Sequence, residues 1–113
     1  GQRLWNQSLG GNGNYDFISD LTLDDDGNIY SVGGTQSTNG IATPGAYQML
    51  KSGPTGGQTD IYYDGFISKH DPSGSLQWAT YYGGPQGRTY FHENIVSGGY
   101  IYAVGLTVST SNI

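Results

Sequence analysis

The sequence contains no cysteine, so neither a disulfide framework nor a thiolate metal site can exist in it, and redox chemistry says nothing about its compartment. Basic residues are scarce: 4 Lys+Arg face 9 Asp+Glu, giving a net charge of −5 and a pI near 4.4. That field repels phosphate backbones and anionic lipid headgroups, which removes nucleic acid from the expected partners. No apolar run approaches the roughly 20 residues of a membrane helix. No basic-then-apolar segment opens the sequence at Gly1, so membrane insertion is not expected and a leader would lie upstream. Apolar residues make up 35% of the 113 while 20 are glycine, so the core this chain buries alone is thin. Nor does any window sustain the apolar period of a helix.

What is present is β structure. The 10 tyrosines outnumber the 3 phenylalanines and sit largely in β-prone stretches, where a half-wet sheet surface suits their apolar ring and polar tip. Strands are expected at Leu4 to Ser8, Phe17 to Leu23, Ile29 to Thr35, Phe66 to His70, Leu76 to Tyr82, His92 to Val96 and Tyr100 to Leu106. The turn Asp24-Asp25-Asp26-Gly27-Asn28 joins the second to the third, since Asp-Gly between apolar runs signals a hairpin. Asp71-Pro72-Ser73-Gly74, with Pro second and Gly fourth, fits a type I turn. Between Gln36 and Asp64 lies the one long irregular connection, with Ile41, Tyr47, Met49, Leu50, Ile61, Tyr62 and Tyr63 as scattered anchors. A loop of that length is expected to be packed across a neighbouring unit or to be functional.

The chain also repeats itself. Trp5 to Gly11 returns as Trp78 to Gly84, 73 positions on, and Ile29 to Thr35 returns as Ile101 to Thr107, 72 positions on. A unit recurring at one period is a stacking module. Four antiparallel strands per unit are the anatomy of a β-propeller blade, so the expected fold class is all-β, about one and a half blades of an incomplete propeller. In that reading 1–11 is the last strand of a preceding blade, 12–84 is one complete blade with a long 36–64 loop, and 85–113 is the first half of the next. The second copy stops at Asn112-Ile113, the counterpart of Gly40-Ile41, so the chain is expected to be a piece of a longer array. Alone, it would expose unpaired sheet edges and uncovered faces, and is not expected to fold stably.

These residues resemble the secreted bacterial β-propeller repeat (SBBP-type) family. The resemblance is carried by Trp78 to Gly84, Asp25 to Tyr30, Gly33 to Thr38, Pro44 to Gln48, and Asp64-Gly65-Phe66 through Gly74. The wording Asn39 to Ala46 is similar to versions in large surface proteins of gliding bacteria exported by type IX secretion. The resemblance implies an extracellular or outer-surface bacterial location. Two departures stand out: the stretch Met49 to Tyr63 exceeds the family's usual link, and Ser97-Gly98-Gly99-Tyr100 replaces the acidic turn in the second copy.

Candidate sites are few. Asp24, Asp26 and Asn28 offer oxygens at alternating positions, as a calcium loop does, but the bidentate Glu of an EF-hand does not follow and a solvated turn explains them as well. His92-Glu93 opens like a zinc protease motif, yet Val96 stands where the second His belongs. His70 and His92 read as sheet residues. Asp16, Asp20, Asp60, Asp64 and Glu93 could supply carboxylates for glycoside hydrolysis, but no pair is singled out, and Asp64 reads as a recurring structural acceptor. Tyr62 and Tyr63, in the long loop, are the ligand-contact candidates for a sugar or a protein. The expected function is a non-catalytic binding or structural module of a bacterial secreted or cell-surface protein, with no cofactor. Its expected partners are the rest of its own propeller and another surface protein or a glycan. The alternatives are the propeller part of a secreted polysaccharide-degrading enzyme, or a cargo or associated chain within a larger surface assembly.

Overall fold

The computed structural model describes residues 2–13, 15–53 and 62–113. Among them all regular structure is strand: β1 (Asp16–Leu23), β2 (Ile29–Thr35), β3 (Asp64–His70), β4 (Leu76–Tyr82), β5 (Thr89–Ser97) and β6 (Tyr100–Thr107). Strands β1 to β4 form one antiparallel sheet in chain order, and β5 pairs with β6 in a second. The all-β expectation holds, and antiparallel sheets of four and two strands are consistent with a partial propeller. The expected strand at Leu4 to Ser8 does not form: this segment lies outside any ladder. A strand is a pairing rather than a propensity, and Trp5 instead donates its indole N–H to Pro72 O at 3.1 Å, with its ring lying over Gly74.

Two turns of the first sheet are built alike. Asp24 Oδ1 accepts the backbone N–H groups of Asp26 and Asn28, two and four residues on, and Asp71 Oδ1 accepts those of Ser73 and Ser75. In each, Oδ2 takes a side-chain amide, from Asn28 or from Gln77. A carboxylate offering two acceptor oxygens beside a tight bend satisfies amides that the ladder leaves unpaired. The Gly74 N–H to Asp71 O bond of 2.9 Å closes the expected type I turn.

The repeat is visible in detail at the inner hairpins. The register of β1 on β2 skips at Ser19, and that of β5 on β6 skips at His92, 73 positions later. Opposite each bulge stands a glycine through which the facing carbonyl passes. A Cβ on Gly33 would stand 1.9 Å from Phe17 O, and one on Gly105 would stand 2.1 Å from Tyr90 O. The repeated Val-Gly pair of the sequence is thus a valine in the ladder followed by the only side chain that admits the bulge.

The linkers repeat as well. Ser37 Oγ accepts the amides of Gly11 and Gly13 at 3.1 and 2.8 Å, while its own amide donates to Thr35 Oγ1. In the second copy Ser109 Oγ accepts the Gln86 amide at 3.2 Å and donates to Gln86 O, and its own amide donates to Thr107 Oγ1. Each clasp ties the strand leaving β2 or β6 to the segment entering β1 or β5.

The β5–β6 hairpin lies across one face of the first sheet, against β1, β2 and β3. Phe91 fills the space over Gly65, where a Cβ would come within 2.9 Å of its ring, and its centroid is 5.6 Å from that of Tyr82. Tyr90 sits over Gly34 and meets Phe17 edge-on at 6.0 Å. Polar contacts fix the register of the stack: the Asn94 amide donates to Asp20 Oδ2 at 2.8 Å, and Thr22 donates to Asn94 O at 2.9 Å. On the sheet's other face the small core holds Ile41, Phe66 and Tyr81, with Leu9 and Ala42 against them.

Candidate functional site

The outer strand β4 would present a free edge, and the long connection after β2 covers it. The Thr43 amide donates to Ala79 O at 2.9 Å, and the Ala79 amide donates back to Thr43 Oγ1 at 3.1 Å. Further along, the Tyr81 amide donates to Gln48 O and the Gln48 amide to Thr80 Oγ1. The packing expected of this loop therefore falls on its own sheet, where it satisfies the edge amides that invite aggregation. Residues 54–61, including Asp60 and Ile61, lie outside the described residues.

Asp64 pins the far end of this strap. Buried at the start of β3, it accepts the Ser52 amide at 2.7 Å, the Ser52 hydroxyl at 2.9 Å and the Gln48 side-chain amide at 2.9 Å. Gln48 in turn accepts the Gly83 amide through Oε1 at 3.0 Å. Burial pushes the Asp64 carboxyl up despite these donors and the nearby Lys51 charge, and burial pushes the Lys51 ammonium down. Tyr81, whose hydroxyl donates to Ser37 O at 3.0 Å, is pushed up to about 12 by burial and then by the charges of Asp16 and Asp64.

The other acidic candidates are also held by donors. Burial raises the Asp16 carboxyl, but hydrogen bonds from Thr35, Ser37 and the Gly11 amide outweigh it and leave the group below its ordinary value. Asp20 accepts from Asn94 at the stack between the sheets. Asp24 is lowered first by the Asn28 side chain and further by the amides of Asn28 and Asp26 and the Tyr30 hydroxyl. Asn28 therefore turns its NH2 group, a donor, toward Asp24, and Asp26 contributes its backbone N–H. Glu93 is exposed on β5. His70 is buried in β3 with its imidazole pushed down by desolvation, and His92 stands exposed at the β5 bulge, its ring 5.0 Å from that of Tyr90. Among the described residues no group of three His, Asp or Glu is placed to hold a metal ion.

Of the two expected ligand-contact residues, Tyr62 is half-buried, and Tyr63 joins an aromatic cluster. Its ring is 6.2 Å from Tyr15 and 5.8 Å from Phe17, both edge-on, and its carbonyl accepts the Thr89 amide at 2.8 Å. Its ring thus packs at the start of β1, while its carbonyl ties this segment to β5.

A different set of aromatic residues forms a groove. Where the strap runs along β4, Tyr47 stacks on Tyr82 with centroids 6.2 Å apart and planes 22° apart. Together with Trp78, Ile67 and the strap residues Thr43 to Ala46 they line an open cavity of about 440 Å³. Trp78 and Tyr82 stand four apart on one strand, so the two-residue period puts both on one face. Trp78 is steadied edge-on by Tyr30 at 6.4 Å. The Thr43 and Thr80 hydroxyls are committed to the strap, so what the groove offers a ligand is chiefly aromatic and apolar surface. Tyr47 counted in the sequence only as a loop anchor. The even spacing of Trp78 and Tyr82 was the readable signal.

Residues 5–41, from Trp5 through the first inner hairpin to Ile41, match the SBBP family model, described as a beta-propeller repeat. No curated protein matches the chain. Among the described residues no helix is long and apolar enough to cross a membrane.

Proposed function

From the premise that this chain carries a beta-propeller repeat of the SBBP family, we propose that it is a non-catalytic structural and binding module of a secreted or cell-surface bacterial protein. Its ligand is a glycan, held at the Tyr47–Trp78–Tyr82 groove without a cofactor. The observation that carries the reading is the groove itself: three aromatic rings on a rigid strand and its strap, with neighbouring hydroxyls already hydrogen-bonded. Aromatic faces stack on the C–H faces of pyranose rings, and a rigid scaffold with ligand-facing loops is the usual way a repeat protein binds.

Glycoside hydrolysis needs two carboxyl groups flanking the scissile bond, one kept protonated. Asp16, Asp20, Asp24 and Asp64 instead accept hydrogen bonds that hold turns, clasps and strap, which favours binding over hydrolysis. The test is affinity electrophoresis of the chain through a panel of soluble bacterial and plant polysaccharides, beside a reducing-sugar assay. Retardation by at least one polysaccharide is expected, reduced about tenfold or more by Tyr47→Ala, with no sugar released. Release of reducing ends, or retardation unchanged in Tyr47→Ala, would overturn the proposal.

A further inference from the structure

Two Asn-Gly pairs meet at the first clasp, Asn12-Gly13 and Asn39-Gly40. In such a pair the glycine amide nitrogen can reach the asparagine Cγ, because no Cβ restrains the glycine backbone. Both pairs thus carry the same intrinsic chemistry, and the fold treats them oppositely. Asn12 Oδ1 accepts the Thr38 amide at 2.8 Å and the Asn39 amide at 3.2 Å, and its NH2 group donates to Thr38 Oγ1 at 2.9 Å. The Gly13 amide donates to Ser37 Oγ at 2.8 Å, so both reacting groups of this pair are tied to other partners. Asn39 is exposed, and among the described residues nothing holds its side-chain amide or the Gly40 N–H.

We infer that Asn39 is a site of spontaneous covalent modification, at which isoaspartate forms and opens the first clasp. The Gly40 amide nitrogen, having lost its proton to solvent base, attacks Asn39 Cγ. The new C–N bond closes a cyclic imide as the Cγ–Nδ2 bond breaks, and the departing nitrogen takes a proton from water and leaves as ammonia. Water then opens the imide at either carbonyl, giving aspartate or isoaspartate at this position. The isoaspartyl product routes the main chain through Cβ and Cγ, which lengthens it by one carbon, and turns the former Asn39 carbonyl into a free carboxylate. The fold has no room for either change. A Cβ on Gly11 would stand 1.7 Å from Asn39 O, and one on Gly40 would stand 2.9 Å from the Gly11 Cα. The new charge also arises beside Gly11, whose amide donates to Asp16 Oδ2 at 3.1 Å, so a second anion enters a site that already holds one. The Gly11 and Gly13 amides then lose their hold on Asp16 and Ser37. Nothing in this inference depends on the aromatic groove.

The test ages the folded chain in mildly alkaline buffer beside the same chain in urea. Both are digested and mapped by peptide mass spectrometry, with isoaspartate identified by enzymatic methylation. In urea the two pairs convert at similar initial rates. In the folded chain Asn39 converts while Asn12 lags by about tenfold or more, the factor set by the few net hydrogen bonds that must first open. Hydrogen exchange on the aged chain is expected to be about tenfold faster at the Gly11 and Gly13 amides than before ageing. Asn39→Gln, whose longer side chain closes the ring far more slowly, keeps its protection through the same treatment. Equal conversion of the two pairs in the folded chain, or the same bias persisting in urea, would overturn the site. Unchanged protection in the isoaspartate-bearing chain, or equal loss in aged Asn39→Gln, would overturn the opening of the clasp.

Discussion

The hairpins β1–β2 and β5–β6 follow one sequence scheme and meet different surroundings. Tyr30 and Val32 are 9% and 0% exposed, while Tyr102 and Val104, at the same places in the second copy, are 56% and 61% exposed. The chemistry of the residues is identical at both places. What differs is that the first hairpin has a second one lying on it and the second hairpin has none. Burial in a repeat is conferred by the neighbour, so an apolar residue in such a sequence encodes a contact to be made. The copies diverge at two telling points. Gly34, which gives way to Phe17 and Tyr90, is matched by Leu106, which is 41% exposed. Asp16, which clasps Thr35 and Ser37, is matched by Thr89, which shares a 2.8 Å hydrogen bond with Thr107.

Exchanging residues between the copies should break this comparison most sharply. Gly34→Leu places the second copy's side chain where a Cβ already stands 2.7 Å from the Phe17 ring and 3.0 Å from Tyr90. Overpacking of this kind costs about 3 kcal/mol, read as a fall in the denaturant midpoint, and should detach the β5–β6 hairpin. The reverse change, Leu106→Gly, should leave the midpoint within about 1 kcal/mol. A smaller contrast comes from truncation. Val32→Ala should cost about 2 kcal/mol through lost burial and a residual cavity, and Val104→Ala, at concentrations where the chain is monomeric, no more than about 0.5 kcal/mol. Equal losses at the two valines would mean that the hairpins share one environment after all.

The smallest effect is a difference in acid sensitivity. The folded structure holds the Asp16 carboxyl below its unfolded value of about 3.9. Its contribution is therefore present above that pH and lost as pH falls through the folded value. Asp64 has the opposite sign: its raised carboxyl opposes folding when ionised, and that penalty is relieved as pH falls through its folded value. Hydrogen-exchange protection of the Gly11 amide, which donates to Asp16 and Ser37, should therefore weaken as the pH is lowered below about 4. The Gln86 amide, held by the uncharged Ser109, should keep its protection. Parallel loss at both amides would show that the clasps do not differ in this way.

The strand core was legible because its signals are local. Ile29 to Thr35 and Leu76 to Tyr82 coincide with β2 and β4, bounded by Asp-Gly and Asp-Pro-Ser-Gly turns whose residues permit few other conformations. The bounds of β1, β3, β5 and β6 lie one to three residues outside those expected, where polar residues such as Asp64, Thr89 and Ser97 extend the ladders. Leu4 to Ser8 has strand-like composition and no ladder, because pairing needs a second backbone. The strap on β4 was illegible for a related reason: its side-chain partners, Thr43 with Ala79, Gln48 with Thr80 and Gly83, and Ser52 with Asp64, stand 12 to 36 positions apart and meet only once the sheet has formed. The edge-on packing of the ligand-contact candidate Tyr63 on Phe17 joins residues 46 positions apart, and the aromatic groove needed the strap in place before Tyr47 could reach Tyr82.

The glycine opposite each bulge has a consequence for how such a chain can change over time. Register in these hairpins is referenced from the bulge outward, since only one residue in β2 or β6 can face it. The connection from Leu23 to Ile29 is one residue longer than that from Val96 to Ile101, which is why the spacing between copies drops from 73 to 72 along the hairpin. Yet Ile18 still meets Gly33, and Phe91 still meets Gly105. An insertion or deletion at the tip is thus absorbed without shifting the frame of the strands. Repeated units can thus differ in tip chemistry, Asp24 to Asn28 in one and Ser97 to Tyr100 in the other, while keeping the same strand frame.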